Sequence, residues 1–326
     1  MKEFDYSVAI RTLGKAGQVY NNLIESLLAQ TIPPKGIFVY IAEGYAKPSQ
    51  VADEIYSYCP KGMVAQRSLP FDEITSEYIL FCDDDVFLPQ DAVQKLFTAM
   101  EEYGASCVAP SVFPNEKMPL LNKLVAGALY GTFPSFFSRY AFKIRKSSYY
   151  SYSCFPKKVM LTQSFAGPCF LLKKSAYQAV NFKEERWLDS FVYANGEDQM
   201  LAYKLFVAGF VLLVHYDTGV VHNDARTSHV DGRRERDYNN RVIRYIIWYR
   251  SIYQLQDSFW GKLSAMVSFY SYWLWLLFLA LISWLLRRNT SKVKDSFLSL
   301  RQAKAIVNSE EFKSIPTWQK ISKKRS

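Results

Sequence analysis

The sequence predicts an α/β fold with a mostly parallel sheet flanked by helices, followed by a helical, membrane-associated region at the carboxyl end. Short apolar segments rich in β-branched and aromatic residues alternate with helical patterns, which is typical of such sheets. Three aspartates, Asp83, Asp84 and Asp85, directly follow one buried segment, and open α/β sheets bind ligands where their strands end. Residues 265–286 carry no charge and are numerous enough to cross a bilayer.

The first 110 residues show the alternation most clearly. Residues 7–12 predict a buried strand, and the apolar spacing over 19–29 predicts a helix that Pro33 and Pro34 end. Further strands are predicted at 36–42, 78–82 and 106–110, and further helices at 49–58 and 91–103.

The pattern changes after residue 110. Residues 117–158 contain no acidic residue but many lysines, arginines and aromatic residues, and we interpret them as a basic, aromatic insertion. Strand patterns return at 165–172, 211–214 and 219–222, with a helical pattern over 196–207 and another over 241–250. The chain is therefore expected to form one α/β domain over 1–237, with a helical region and a basic tail over 238–326.

The charge of the chain is unevenly distributed and favours an anionic partner surface. Residues 1–110 carry 8 Lys and Arg against 15 Asp and Glu, whereas the remainder carries 32 against 15. We expect a membrane rather than nucleic acid, because no nucleic-acid-binding module is recognisable and residues 265–286 are followed by Arg287 and Arg288, an interfacial anchor pattern. Five cysteines without CxxC spacing, and no signal-peptide pattern, favour a reducing compartment.

The aspartate triplet is the first candidate site. Three adjacent carboxylates at the end of a buried strand are costly unless a positive charge compensates them. A divalent cation bound to a diphosphate supplies that charge, since Mg²⁺ and Mn²⁺ prefer oxygen ligands and are commonly held by one or two carboxylates together with substrate phosphates. The structural alternative is a solvated turn that precedes the next helix.

Two later segments carry residues of similar interest. Glu197 and Asp198 open the helix predicted over 196–207, where acidic residues either serve a site or only complement the helix dipole. His222 closes an apolar strand; histidine is a common metal ligand, although a single histidine in this setting is more often structural.

Together these segments resemble the inverting family 2 glycosyltransferases of the GT-A fold, over about residues 5–245. The matching segments are 8–12, 30–31, Glu43, Arg67, 83–85, 166–170, 197–198 and His222. Each motif alone is weak, and the specificity lies in their ordered combination. Two departures concern the nucleobase contacts: Glu43 stands where the family more often has aspartate, and the first turn, residues 11–15, is unusually basic.

The resemblance implies a role for each matched residue. The residues expected to bind the donor are Thr12, Glu43, Arg67, Asp83 and Asp84, with Asp83 facing the ribose. Asp85 and His222 are expected to hold a divalent cation, Mn²⁺ or Mg²⁺. Asp198 is the expected general base, with Glu197 orienting it or substituting for it.

A group of arginines follows His222 and offers a further candidate site. Arg226 and the later Arg233, Arg234 and Arg236 flank a glycine, and they are candidates for a mobile clamp on the diphosphate. The alternative is a basic loop that faces solvent or the membrane.

The expected function is transfer of a sugar from a nucleoside diphosphate sugar to a hydroxyl of a glycan or lipid-linked acceptor, in polysaccharide biosynthesis at the cytoplasmic face of a membrane. One alternative is a metal-dependent nucleotidyltransferase, for which residues 14–17 are a poor phosphate loop. The other is a non-catalytic membrane adaptor, which would not need carboxylates at several element ends. Residues 265–286 are compatible with a span, a re-entrant helix or an in-plane helix, and a full crossing would conflict with the basic tail.

Overall fold

The computed structural model describes residues 4–112, 119–191, 195–223, 232–288 and 290–319. Its strands are β1 (Tyr6–Thr12), β2 (Ile37–Ala42), β3 (Ile55–Cys59), β4 (Tyr78–Asp83), β5 (Val86–Phe87), β6 (Cys107–Pro110), β7 (Thr132–Ser135), β8 (Phe142–Ile144), β9 (Tyr150–Ser153), β10 (Val159–Leu161), β11 (Cys169–Lys173), β12 (Leu212–His215) and β13 (Val221–His222). Eight of them form the central sheet, in the order β10-β12-β6-β11-β4-β1-β2-β3.

The sheet is mostly parallel, which confirms the predicted fold class. Strands β3, β2, β1 and β4 run side by side in one direction, and β6 and β12 share that direction. Only β11 and the edge strand β10 run antiparallel to their neighbours. Consequently β1, β2 and β4 all present their carboxyl ends at the same edge of the sheet.

The helices cover both faces of this sheet. They are α1 (Gln18–Leu28), α2 (Ala92–Glu102), α3 (Leu120–Tyr130), α4 (Lys174–Gln178), α5 (Glu197–Val207), α6 (Arg233–Trp248), α7 (Phe259–Arg287), α8 (Ser291–Asn308) and α9 (Glu310–Lys313), with a 3₁₀ segment at Phe182–Ser190 and a π-helical turn at Tyr249–Tyr253. Alternation along β1 distributes its side chains: Val8 and Ile10 join the apolar cluster of α1 and α2, whereas Ala9 joins that of α4 and α5.

One predicted element is wrong. Residues 49–58 do not form a helix, because Ile55–Cys59 is the edge strand β3, whose Ile55 pairs with Phe38 of β2 in parallel register. The segment Ile-Tyr-Ser-Tyr-Cys is rich in residues that favour strands, and pairing with β2 decides its conformation. The strand expected over 165–172 is also shorter, since β11 begins only at Cys169, after Gly167 and Pro168.

The insertion at 117–158 contains α3 and a small sheet of its own. Strands β7, β9 and β8 are neighbours in that order, with β7 and β9 parallel and β8 and β9 antiparallel. Helix α3 is apolar yet mostly exposed, with side chains such as Leu121 that are 70% accessible.

The carboxyl-terminal region is helical and returns to the α/β domain. Residues 237 and 238, where the two expected regions meet, both lie within α6. Helix α8 occupies the segment that we expected to be a polar tail, and it packs on α6 and α7. Beyond α9, the buried indole of Trp318 donates a hydrogen bond of 2.8 Å to Glu185, a fully buried residue of the 3₁₀ segment.

Among the described residues, α7 is the one helix long and apolar enough to cross a membrane, and most of its apolar window is not buried. Length and composition alone are weak evidence for a span, and the contacts of α7 described below bear on its orientation.

Candidate active site

Residues predicted to bind the donor lie at the edge of the sheet where the parallel strands end. Thr12 ends β1, Glu43 follows β2, and the aspartate triplet begins at the last residue of β4. Glu43 is exposed and its amide donates to Cys59 O of the neighbouring strand, so it stands at the rim of the sheet.

Asp85 and His222 come together through a short ladder outside the main sheet. Strands β5 and β13 pair antiparallel, with His222 opposite Val86. The amide of Asn223 donates to Asp85 O at 2.9 Å. The Nε2 atom of His222 consequently lies 3.1 Å from Oδ1 of Asp85.

This pair fits a divalent cation that is also held by a substrate. Two adjacent ligand atoms of an octahedral site with bonds of about 2.1 Å are about 3 Å apart, which agrees with the separation of Asp85 Oδ1 and His222 Nε2. In the described part of the chain, no group of three or more His, Cys, Asp or Glu residues is arranged to hold a metal. Within the described residues, Asp85 and His222 are therefore a pair of candidate ligands and not a complete set.

Asp84 points into the protein and orders the first turn. The Thr12 hydroxyl donates to Asp84, and the amide of Gly14 donates to the same hydroxyl oxygen at 2.7 Å. Burial raises the pKa of Asp84 to about 6, and the neighbouring aspartates act in the same direction. Gly14 has a positive φ of 67°, and an added Cβ would lie 1.9 Å from Ala46 O, so this turn requires glycine.

Two arginines and two carboxylates form an ionic network beneath the edge of the sheet. Arg67, 2% exposed, contacts Glu197 Oε1 at 3.1 Å and Asp83 Oδ1 at 3.3 Å. Arg11 pairs with both carboxylates as well, through two nitrogens to Asp83 and through Nη1 to Glu197 at 3.3 Å. Each buried charge is therefore compensated, and the network joins the strand ends to the start of α5.

Asp198 follows this network and borders a cavity. Its carboxylate accepts hydrogen bonds from the amides of Gln199, at 2.7 Å, and Gly167, at 3.1 Å. Burial raises the pKa of Asp198 to about 6, and the charge of Glu197 raises it further, whereas Arg67 opposes the shift.

The cavity beside Asp198 is open and measures about 590 Å³. Gly167 lies in its wall, and an added Cβ there would sit 2.7 Å from Arg67 Nη1 and 3.0 Å from Asp198 Cβ. Arg241 and Arg244 of α6 also line it. Carboxylate and guanidinium groups thus share one cavity large enough for sugar rings.

Comparison with known proteins gives the family. Residues 18–180, half of the chain, match the family described as Glycosyl transferase family 2. The chain belongs to glycosyl transferase family 2. Its mostly parallel sheet with helices on both faces is the expected GT-A arrangement.

Among solved structures, this family 2 glycosyltransferase is similar to GalNAc-T7 with UDP, GalNAc and Mn2+, at 13% sequence identity and a TM-score of 0.48. The match covers 82% of this chain and 54% of that chain, so this chain spans about half the length of that protein. Comparison with curated protein sequences finds no match.

The candidate arginine clamp is only partly described in this family 2 member. Arg226 and the side chain of Arg233 lie outside the described residues. Arg234 turns to α8, where it forms a two-nitrogen pair of 3.0 Å with Asp295. Arg236 is half-buried on α6.

Some residues have functions in the fold that sequence reasoning missed. Gln30, noted above only as part of a motif, is buried. Its side-chain nitrogen Nε2 donates to Pro89 O at 2.8 Å, and its side-chain oxygen Oε1 accepts from Val93 N at 3.1 Å. It thereby fastens α1 to the segment after the aspartates. Arg11, noted only as an unusual basic residue, belongs to the central network. Apolar spacing reveals neither contact, because both join residues far apart in the chain.

Proposed function

We propose that this protein is an inverting glycosyltransferase that moves a sugar from a nucleoside diphosphate sugar to an acceptor hydroxyl. The observation that carries the proposal is the placement of the pair Asp85 and His222 at the strand edge and of Asp198 on a cavity, with the Arg67–Glu197 contact connecting the two sides. The donor diphosphate would lie beside Asp85 and His222, and the acceptor would lie in the cavity beside Asp198.

The donor site follows from the strand ends. Glu43, exposed after β2, faces the nucleobase in this proposal, and Asp83 faces the ribose while Arg11 and Arg67 hold its carboxylate. The hydrogen bond from Thr12 to Asp84 supports the turn that follows β1.

Asp85 and His222 would hold Mn²⁺ or Mg²⁺ against the donor diphosphate. When bound, the cation supplies positive charge that offsets the negative charge of the leaving diphosphate. The family resemblance and the 3.1 Å separation of the two ligand atoms support this assignment.

Asp198 is the proposed general base. The acceptor oxygen bonds to the anomeric carbon of the donor, its proton passes to the Asp198 carboxylate, and the bond between that carbon and the diphosphate oxygen breaks. A single displacement from the opposite face inverts the anomeric configuration, through a transition state of oxocarbenium character. Glu197, held by two arginines, fixes the start of α5 and so positions Asp198.

The protein would work in polysaccharide biosynthesis on the cytoplasmic face of a membrane, because nucleotide sugars are made in the cytosol. Helix α7 is the proposed membrane-contacting element. Its contacts favour an orientation in which the helix lies against the rest of the protein. Ser264 accepts from Lys146 at 2.8 Å, and the Trp275 indole donates to Ala128 O at 3.0 Å. Trp273 of α7 also packs on Phe297 of α8, with their ring centroids 5.6 Å apart.

A donor screen tests the proposed function. Purified full-length protein is incubated with different nucleoside diphosphate sugars, with and without Mn²⁺ or Mg²⁺, and release of the nucleoside diphosphate is measured. We expect metal-dependent release from one donor class, loss of release in D85A, and normal release in D91A, which changes an exposed aspartate before α2. Release of no nucleoside diphosphate from any donor, or equal release by D85A, contradicts the proposal. The anomeric configuration of the transferred sugar tests inversion.

A further inference from the structure

Two arginines on the cavity wall differ from the other arginines of the site. Arg241 and Arg244 lie three residues apart on α6, and among the described residues neither is within 4.0 Å of a carboxylate oxygen, whereas Arg11, Arg67 and Arg250 all form ion pairs. Arg234, which pairs with Asp295 directly, lowers the pKa of that carboxyl group, and Arg241 adds to the effect from beyond pairing distance. A half-buried guanidinium without a directly paired anion is a favourable place for a ligand anion to bind.

Among the described residues, both arginines donate hydrogen bonds to neutral groups. Arg241 Nη1 donates to Ser296 Oγ at 2.6 Å and to Lys292 O at 3.2 Å. Arg244 Nη1 donates to Gln199 Oε1 at 2.8 Å and to Ser148 O at 3.1 Å. A guanidinium carries five N–H donors, so these bonds orient each arginine and leave others for an anion.

The same two arginines join the Asp198 cavity to the membrane-contacting helix. They line the 590 Å³ cavity with Asp198, and they also line a narrow cleft of about 30 Å³ whose other walls include Tyr272 and Leu276 of α7. The cleft holds only a few atoms. Its lining places Arg241 and Arg244 between the Asp198 cavity and the residues of α7.

Both α7 and α3 expose apolar side chains over much of their length. The Trp275 indole and the Tyr272 hydroxyl of α7 both donate to Ala128 O of α3, at 3.0 and 3.3 Å, so the two helices touch at this residue. Their exposed apolar side chains are Leu121, Leu124, Val125, Leu129, Tyr130, Val267, Leu274, Trp275, Phe278, Leu281, Ile282, Trp284, Leu285 and Leu286. So many exposed apolar side chains on two helices that touch each other need a cover.

Charge complementarity identifies that cover as a lipid surface. The insertion that carries α3 has no acidic residue from 117 to 158, and basic side chains such as Lys123 and Lys143 accompany its aromatic ones. An apolar face with aromatic and basic residues around it suits the interface of a bilayer that contains anionic lipid.

We propose that the acceptor is a sugar linked to a lipid through a phosphate or diphosphate, and that this anionic group binds between Arg241 and Arg244. Its acceptor hydroxyl reaches Asp198, and its apolar chain leaves across α7 and α3 into the bilayer. This inference rests on the proposed function, because it assumes that the Asp198 cavity receives the acceptor.

A binding experiment without donor or metal tests the site. Full-length protein is titrated with dodecyl phosphate below its critical micelle concentration, and with dodecanol and inorganic phosphate as probes that each lack one half of the ligand. Isothermal calorimetry gives the affinities of the wild type, R241Q/R244Q, R241K/R244K and R301Q. The last removes an exposed arginine of α8 and serves as the matched control.

We expect dodecyl phosphate to bind the wild type and R301Q equally, at least 10-fold more tightly than either partial probe. R241Q/R244Q should lose at least 10-fold in affinity, and R241K/R244K should fall between the two because it keeps the charge. Equal binding by R241Q/R244Q overturns the arginine assignment, and inorganic phosphate binding as tightly as dodecyl phosphate overturns the lipid part. If circular dichroism shows that the glutamine variant is unfolded, the lysine variant carries the test. In that case, a lysine variant that binds both dodecanol and dodecyl phosphate as tightly as the wild type does overturns the proposal.

The result is independent of the donor screen. A protein that binds dodecyl phosphate through these arginines but releases no nucleoside diphosphate refutes the proposed reaction and retains the lipid-phosphate site. A protein with metal-dependent donor cleavage but no preference for dodecyl phosphate refutes only the acceptor inference.

Discussion

Arg67 Nη1 lies 3.1 Å from Glu197 Oε1, although the two residues are 130 positions apart in the chain. Arg67 also contacts Asp83 and donates to Gly167 O at 2.8 Å. One buried guanidinium therefore connects the aspartates after β4 to the helix that begins beside Asp198. The site's two halves are positioned relative to each other by this contact, and several predictions depend on it.

Replacing Gly167 should disturb Asp198, the proposed general base, directly. In G167A the new Cβ would meet Arg67 Nη1 at 2.7 Å and Asp198 Cβ at 3.0 Å, so one of these side chains must move. We expect turnover to fall about 10-fold or more, since small displacements of reacting groups are costly. Steady-state kinetics measure the effect. G104A, where nothing lies within 4 Å of the new Cβ, controls for the loss of a glycine without crowding, and equal activity losses in both variants would contradict the explanation.

Metal dependence should follow from Asp85. Replacing it with alanine in D85A leaves His222 as the remaining proposed protein ligand, and we expect turnover to fall by about 100-fold or more at fixed Mn²⁺. The concentration of Mn²⁺ needed for half-maximal rate should rise in the same variant. Near-normal turnover with an unchanged metal requirement would refute the assignment, provided that D91A behaves as wild type.

The rate should depend on pH through Asp198. Its pKa is raised to about 6 by burial and by Glu197, against the opposing charge of Arg67. A base acts only when deprotonated, so kcat should be level above this pKa and fall about 10-fold per pH unit below it. A pH–rate profile of the purified enzyme tests this.

Asp198→Asn removes the proposed base while conserving its shape. We expect kcat to fall by about 100-fold or more, with donor affinity little changed. Weakened donor affinity together with a normal chemical step would move Asp198 from catalysis to donor binding.

The carboxyl-terminal region should contribute to the stability of the α/β domain through Glu185. This fully buried carboxylate accepts from Arg250 at 2.6 and 2.8 Å, from Trp187 at 2.9 Å and from Trp318 at 2.8 Å. Burial acts to raise the pKa of Glu185, but the hydrogen bond and charge of Arg250, the charge of Lys204 and the hydrogen bond from Trp187 together bring that pKa below its usual value. E185Q should reduce the free energy of unfolding by roughly 3–5 kcal/mol, because it leaves Arg250 buried without its closest carboxylate. Denaturant titration measures the change, and a loss no larger than that in E101Q, an exposed glutamate, would contradict it.

Membrane binding should depend on the surface of α3 and α7. L124E/F278E places charge at two side chains that are each 50% exposed there, and we expect at least a 10-fold loss of affinity for vesicles that contain anionic lipid. L28E changes a similarly exposed leucine on α1 and should bind as wild type. Vesicle flotation of full-length protein measures both. Equal binding by all three proteins would assign membrane contact to another surface.

Local patterns were sufficient to predict the class of fold and most elements. Apolar runs identify buried strands, and 3.6-residue spacing identifies helices, because both signals come from neighbours in the chain. The exception, β3, is an edge strand whose conformation depends on pairing with β2. A pattern confined to residues 49–58 contains no information about that partner.

The sequence by itself determined the family, the order of its motifs and the position of the aspartates after a buried strand. Only the tertiary structure decided which of those residues meet. The β5–β13 ladder brings His222 to Asp85, the packing of α6 brings Arg241 and Arg244 to the Asp198 cavity, and the hydrogen bonds to Ala128 O attach α7 to α3. Strand order and helix packing create these contacts between distant segments, and no local periodicity records them.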